Sequence, residues 1–186
     1  RRKPQGITVN YACKLTSERL IEYVKYRKIA VRFAQAYTVC VNFTVNGKTL
    51  YAVGFKNDNG GYVLRNPVFK ACTSSFVTTI YAVNSGKFTS TLNVFEGFFD
   101  FLSACTWFNK RPNLDTIVLN STVNTKQILS VLRNYETIHL FLDNDKTGQD
   151  TSDLIRSEHN HVVDCSGLYS GYNDFNSFSM YARRSH

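Results

Sequence analysis

No stretch of about 18 apolar residues occurs in this 186-residue chain, so no helical membrane span is written into it. Arg1-Arg2-Lys3-Pro4 lead into no apolar run, which excludes the pattern of a secretory leader. The chain opens without methionine and reads as a fragment of a longer protein. Its five cysteines, Cys13, Cys40, Cys72, Cys105 and Cys165, form no C-x-x-C pair, so zinc-ribbon spacing is missing. An odd count at such wide spacing is also a poor disulfide framework and favours a reducing compartment. No G-x-x-x-x-G-K-[ST] sequence is present, which excludes a P-loop ATPase or helicase motor. Histidines offer little more. His139 stands inside an apolar run, and His159 and His161 flank a turn with no cysteine near them.

What is present supports a folded protein. With 43% hydrophobic and 14% aromatic residues the chain can bury a real core, in one ordinary domain or two small ones. The charge is divided. Residues 1–90 hold 14 lysines and arginines against three acids, a net of +11, whereas residues 91–186 hold 8 against 11, a net of −3. A basic first half suits a polyanion, and an acidic second half suits cations.

The patterning divides in the same way. After an irregular lead-in over 1–16, apolar spacing predicts helices over 17–28 and 31–37, the first capped by Ser17. The period then becomes two: Val39, Val41, Phe43 and Val45 lead to Asn46-Gly47, a type I′ hairpin signal. Strands over 50–55 and 62–64 follow, so residues 38–82 read as a basic antiparallel meander. Around Ser85-Gly86-Lys87 the pattern changes, and the expected domains are 1–90 and 91–186. Beyond it, strands over 92–96, 116–120, 137–142 and 162–164 alternate with amphipathic segments over 98–108, 124–134 and 148–158. That alternation predicts βαβ units and a parallel sheet, whose ligands bind at the carboxyl ends of the strands.

Acids stand at those ends. Glu96-Gly97 follows one strand, and Asp143-Asn144-Asp145 follows another. Carboxylates converging there repel one another unless a divalent cation lies between them. Oxygen donors without histidine or cysteine select Mg²⁺ or Mn²⁺ over zinc. The competing reading is that Asp143 and Asp145 cap the helix that follows.

Three motifs, E-G-x-x-D from Glu96 to Asp100, Asp143-x-Asp145, and Asn173-Asp174-x-Asn176, together resemble the TOPRIM domain. This is the metal-binding catalytic fold of bacterial primases, topoisomerases, OLD-type nucleases and some small ribonucleases. Residues 37–74 resemble the basic module that precedes TOPRIM in DnaG-type primases, and the compact size is most like primases of plasmids and mobile elements. The resemblance implies an α/β chain, α+β overall. It would hold a Rossmann-like parallel sheet with flanking helices behind a small basic, mixed or antiparallel β module.

By the same resemblance Glu96, Asp143 and Asp145 are the catalytic metal ligands, and Asp100 and Asp174 complete the acidic patch. The sequence departs from the family at Asn173, where lysine is usual, and at Asn176, where many primases carry an acid. The implied activity is Mg²⁺-dependent synthesis of short RNA primers on single-stranded DNA from NTPs, in the bacterial cytoplasm. A zinc region and a helicase partner would lie in flanks outside this segment. Lys56, Arg65 and Lys70 are the candidates for template and NTP phosphates, with Tyr62 and Phe69 as stacking surfaces. The alternatives are a TOPRIM nuclease, with water as attacker, and a non-catalytic single-stranded DNA-binding module.

Overall fold

The computed structural model describes residues 6–82 and 89–182, in two compact units that divide between Ser75 and Phe76. The chain is α+β, with one antiparallel sheet and one mostly parallel sheet.

In the first unit, strands β1 (Thr8–Lys14), β2 (Val39–Val45), β3 (Lys48–Lys56), β4 (Tyr62–Asn66) and β5 (Phe69–Cys72) form a five-stranded sheet in sequential order. Helices α1 (Glu18–Tyr26) and α2 (Val31–Tyr37) are inserted between β1 and β2. Asn46 and Gly47 both take positive φ, 50° and 71°, as a type I′ turn requires, and they set the β2–β3 register Val45↔Lys48 through Val39↔Gly54. Val41, Phe43, Val45, Ala52 and Leu64 alternate onto one face and form a buried cluster. Ser17 stands at the α1 N-cap, yet its side chain makes no capping bond.

The irregular lead-in is corrected in part: residues 8–14 are a strand, paired antiparallel with β2. Six of its seven residues are exposed, so this edge strand lacks the half-buried alternation by which strands are recognised.

The second unit's sheet has the order β10-β9-β7-β8-β6, built from β6 (Thr78–Ile80), β7 (Thr91–Phe95), β8 (Asp115–Val118), β9 (Thr137–Phe141) and β10 (Val162–Asp164). Only β6 runs antiparallel. Its pairing with β8 places residues 78–80 with this unit rather than with the first; Ser85, Gly86 and Lys87 lie outside the described residues. Helix α3 (Phe98–Trp107) connects β7 to β8, and α5 (Lys146–Glu158) connects β9 to β10. The segment expected as a helix over 124–134 is a 3-10 turn, Thr122–Gln127, followed by the single turn α4 (Leu129–Leu132). Asn124 there is buried and donates its side-chain amide to the Leu119 carbonyl, a local bond that competes with regular helix. A 3-10 turn (Ser166–Tyr169) and α6 (Phe175–Tyr181) close the fold.

Period-2 alternation separates the faces of this sheet. Leu92, Val94, Ile117, Ile138, Leu140 and Leu142 cluster with Ile128, Leu132 and Ile155 from the α4 and α5 side. Phe95 and Phe141 point the other way, where Phe95 meets Phe101 of α3 and Phe141 meets Phe175 of α6. Because β8 lies on one side of β7 and β9 on the other, the connections diverge at β7. Such a switch point opens a crevice at the carboxyl ends of the strands.

Candidate metal centre and nucleic-acid surface

The crevice holds the acids. Glu96 follows β7, and Asp143 lies two residues past β9. The backbone N–H of Asp143 donates to Glu96 Oε2 at 3.2 Å, and that of Glu96 donates to the Phe141 carbonyl at 3.3 Å. Two loops 47 residues apart in sequence are thereby joined at their acidic residues. The Asn173 amide donates to Asp143 Oδ2 at 3.4 Å, so the residue that stands where lysine is usual does meet this carboxylate.

The other acids are held differently. Asp145 is the α5 N-cap and accepts the Gly148 N–H at 2.9 Å, the capping role that competed with metal ligation. Asp174 caps α6 in the same way, accepting from the Ser177 N–H at 2.6 Å. Asp100 is 9% exposed and accepts the Asn176 N–H at 3.0 Å. Among the described residues no group of three or more His, Cys, Asp or Glu side chains is gathered to hold a metal ion. Glu96 and Asp143 are linked through the Asp143 backbone N–H, which sets the two residues side by side on the rim.

That pair suits Mg²⁺ by the chemistry of its donors. Mg²⁺ is bound by oxygens only, commonly by one or two carboxylates, with waters and substrate phosphates filling the other positions.

Two glycines make the site geometrically possible. Gly97, the α3 N-cap, has φ −122°, which any residue adopts. Glycine is favoured there by space rather than by a tight turn: an added Cβ would stand 2.7 Å from Asp100 Oδ2. At Gly148 an added Cβ would overlap the Asp143 carbonyl oxygen, with the carbonyl carbon at 2.9 Å. The first turn of α5 therefore packs directly on the backbone of Asp143.

A supporting network went unread in the sequence. The fully buried Tyr169 hydroxyl donates to the Leu142 carbonyl at 2.7 Å, and burial first, then the charges of Asp100, Asp164 and Asp143, pushes its pKa up, so it stays a donor. The Asn144 N–H donates to the Asn173 carbonyl at 2.6 Å, and its side-chain amide donates to the Tyr172 carbonyl at 2.9 Å. These bonds join the Asp143 loop to residues 169–173. Nothing in local composition marks them, because each partner is a carbonyl 25 or more residues away.

Asn176 is fully buried and donates its amide to Ser103 Oγ at 2.7 Å. Asn176→Asp would set a second carboxylate beside buried Asp100, where like charge raises carboxyl pKa values above those of the unfolded chain. We expect a loss of about 2–3 kcal/mol at pH 7. A raised folded-state pKa means the loss shrinks as pH falls toward the unfolded value, so urea midpoints at pH 7 and pH 5 check the sign.

In the first unit the four expected nucleic-acid residues separate into two pairs. Lys56 lies opposite Tyr62 across β3–β4, and Arg65 lies opposite Lys70 across β4–β5. Tyr62 and Arg65 are three residues apart on one strand, so the pairs occupy opposite faces. Tyr62 and Phe69 pack against the buried cluster, with the Phe69 ring 5.1 Å from that of Phe43, which leaves them poorly placed as open stacking surfaces.

The exposed rings are elsewhere. Tyr11 and Tyr51 are 50% and 49% exposed, lie on either side of Asn42 in the same register, and share a hydroxyl hydrogen bond of 3.1 Å. That bond holds the Tyr11 pKa up at about 12. Both rings are on the face that carries Arg65 and Lys70. Tyr51 carries no periodic signal of its own exposure, because Val53, its neighbour on the same face, is fully buried.

Comparison with known proteins agrees with this fold. Residues 93–179 match the Toprim-like family, and residues 9–74 match a domain of unknown function, DUF8464. No curated protein matches the chain significantly in sequence. In structure it is similar to the primase fragment of the bacteriophage T7 primase-helicase protein. The TM-score is 0.60 at 16% identity, covering 95% of this chain and 77% of that one. It is also similar to a chain of the T7 lagging-strand DNA polymerase assembly with two primase domains bound to an RNA/DNA hybrid and dTTP. There the TM-score is 0.57 at 15% identity, covering 83% and 82%.

Proposed function

We propose that this chain, which carries a Toprim-like domain within the fold of a phage primase fragment, is a primase catalytic core that makes short RNA primers on single-stranded DNA. The observation that carries the reading is the Glu96–Asp143 contact at the switch point of the parallel sheet. These two carboxylates would hold Mg²⁺, with Asp145 the next oxygen donor along the loop and Asp100 and Asp174 fixing the surrounding segments. The ion held by these residues would supply charge neutralisation for the triphosphate and a lowered pKa for an attacking hydroxyl. Asn173 orients Asp143, and Tyr169 holds the end of β9 in place.

The first unit supplies the polyanion surface. Its 75 residues carry 13 lysines and arginines against three acids. Arg65 and Lys70 meet phosphates while Tyr11 and Tyr51 stack bases, a combination suited to single strands. Lys56, on the opposite face, is a separate phosphate contact. NTPs and single-stranded DNA are the substrates, and a replicative helicase on a mobile element is the fitting partner in the bacterial cytoplasm.

Incubation with single-stranded DNA, labelled NTPs and Mg²⁺ tests the reading. Oligoribonucleotides are expected. Shortened DNA would indicate a nuclease instead, and salt-sensitive binding indifferent to Mg²⁺ would indicate a plain binding module.

A further inference from the structure

On the α3 face of the second sheet lies a cavity of about 180 Å³ whose mouth is formed by the connection from α3 to β8. That connection enters the amino end of β8, whereas the acids occupy the carboxyl ends of β7 and β9. Phe95 and Phe141 wall the cavity on the side toward the acids, stacked with ring centroids 4.5 Å apart and planes 7° from parallel. Phe101 meets Phe95 edge-on at 5.8 Å. Polar groups form part of the floor: Asn93 and Thr116 are in register across β7–β8, and the Asn93 amide donates to Thr116 Oγ at 3.4 Å.

The mouth is cationic. Exposed Lys110 and Arg111 line it, and no acid does. Burial pushes the thiol of Cys105, another lining residue, up to about 12, so it stays neutral and adds no negative charge there. In size the space resembles engineered apolar cavities of about 150 Å³ that accept benzene. A mere packing defect would be apolar throughout, whereas this space joins aromatic walls to an amide and two cations.

We propose that this cavity binds a small molecule that joins one planar ring to an anionic group, the ring against Phe108 and Phe141, which line the space and stay at least partly exposed, and the anion at Lys110 and Arg111. The shared chemistry fits a pyrimidine nucleoside monophosphate or an aromatic carboxylate. The half-buried Asn93 meets the ring's polar edge, as amide side chains do for bases, and Thr116 beneath it holds the amide in place.

Calorimetric titration of the whole chain with UMP, salicylate, uridine and phenol, without Mg²⁺ or DNA, tests it. Failure of the polymerase reading leaves these titrations untouched. At least one anion should bind saturably at one site, and its neutral counterpart should bind at least about tenfold more weakly. UMP alone assigns the nucleotide source, and salicylate alone the carboxylate source. The double variant Lys110→Ala/Arg111→Ala, changed only at exposed positions, should lose about tenfold for the anion while keeping its melting temperature and its affinity for the neutral probe. The proposal is overturned if neither anion saturates, if charged and neutral probes bind equally, or if the double variant binds like the parent.

Discussion

Gly148→Ala is expected to destabilise the second unit by roughly 2–3 kcal/mol, the opposite sign to that of an ordinary glycine-to-alanine change in a helix. In an exposed helix interior alanine gains about 1 kcal/mol over glycine. At Gly148 the new methyl would overlap the Asp143 carbonyl oxygen and crowd its carbon and nitrogen, all backbone atoms that cannot rotate aside. Either the first turn of α5 withdraws, breaking the Gly148 N–H bond to Asp145, or the Asp143 peptide shifts off Glu96. Both routes disturb the acidic pair. The thermal midpoint should fall by about 5–10 °C. Gly167→Ala is the control, because a Cβ there meets nothing within 4 Å and its φ is not in the left-handed range. It should change stability by less than about 0.5 kcal/mol. Equal midpoints for Gly148→Ala and the parent would show that α5 does not press on Asp143.

Glu96→Gln should have the largest effect on activity. The amide oxygen can still accept the Asp143 N–H, so the fold is retained, but the charge that attracts a cation is gone. In the parent, Mg²⁺ at ten times its dissociation constant should add about 1.4 kcal/mol of stability, a rise of roughly 3–5 °C. Glu96→Gln should lose that rise and at least about 100-fold of primer synthesis, while its midpoint without Mg²⁺ stays near that of the parent. Asp143→Ala should match it in activity, and the double variant should be little worse than either, because ligands of one ion act as a unit. A Mg²⁺-induced rise that survives in Glu96→Gln would move the cation elsewhere.

The sequence showed where the acids stand because chemistry at strand ends follows from topology. Once Leu140 and Leu142 mark β9 as buried and Val94 marks β7, Glu96 and Asp143 must emerge on the same rim. It did not show how Asp145 and Asp174 are occupied, since aspartate after a strand serves equally as ligand and as N-cap, and the backbone conformation decides between them. The packing of Phe69 and Tyr62 against the buried cluster was hidden for a related reason. An aromatic residue among cations looks like a base platform, but its face in the sheet depends on a register that hydropathy alone leaves open. Tyr11 escaped because an edge strand exposed on both sides carries no burial period. Tyr169 and Asn144 act through distant carbonyls, contacts that only the fold creates.

The Glu96–Asp143 pair as a cation site is tested most directly by a crystal of the chain soaked in Mn²⁺. The account predicts one strong anomalous peak at the carboxyl ends of β7 and β9, within about 2.0–2.6 Å of an oxygen from each of Glu96 and Asp143. A peak seated elsewhere, or none at saturating Mn²⁺, would contradict it.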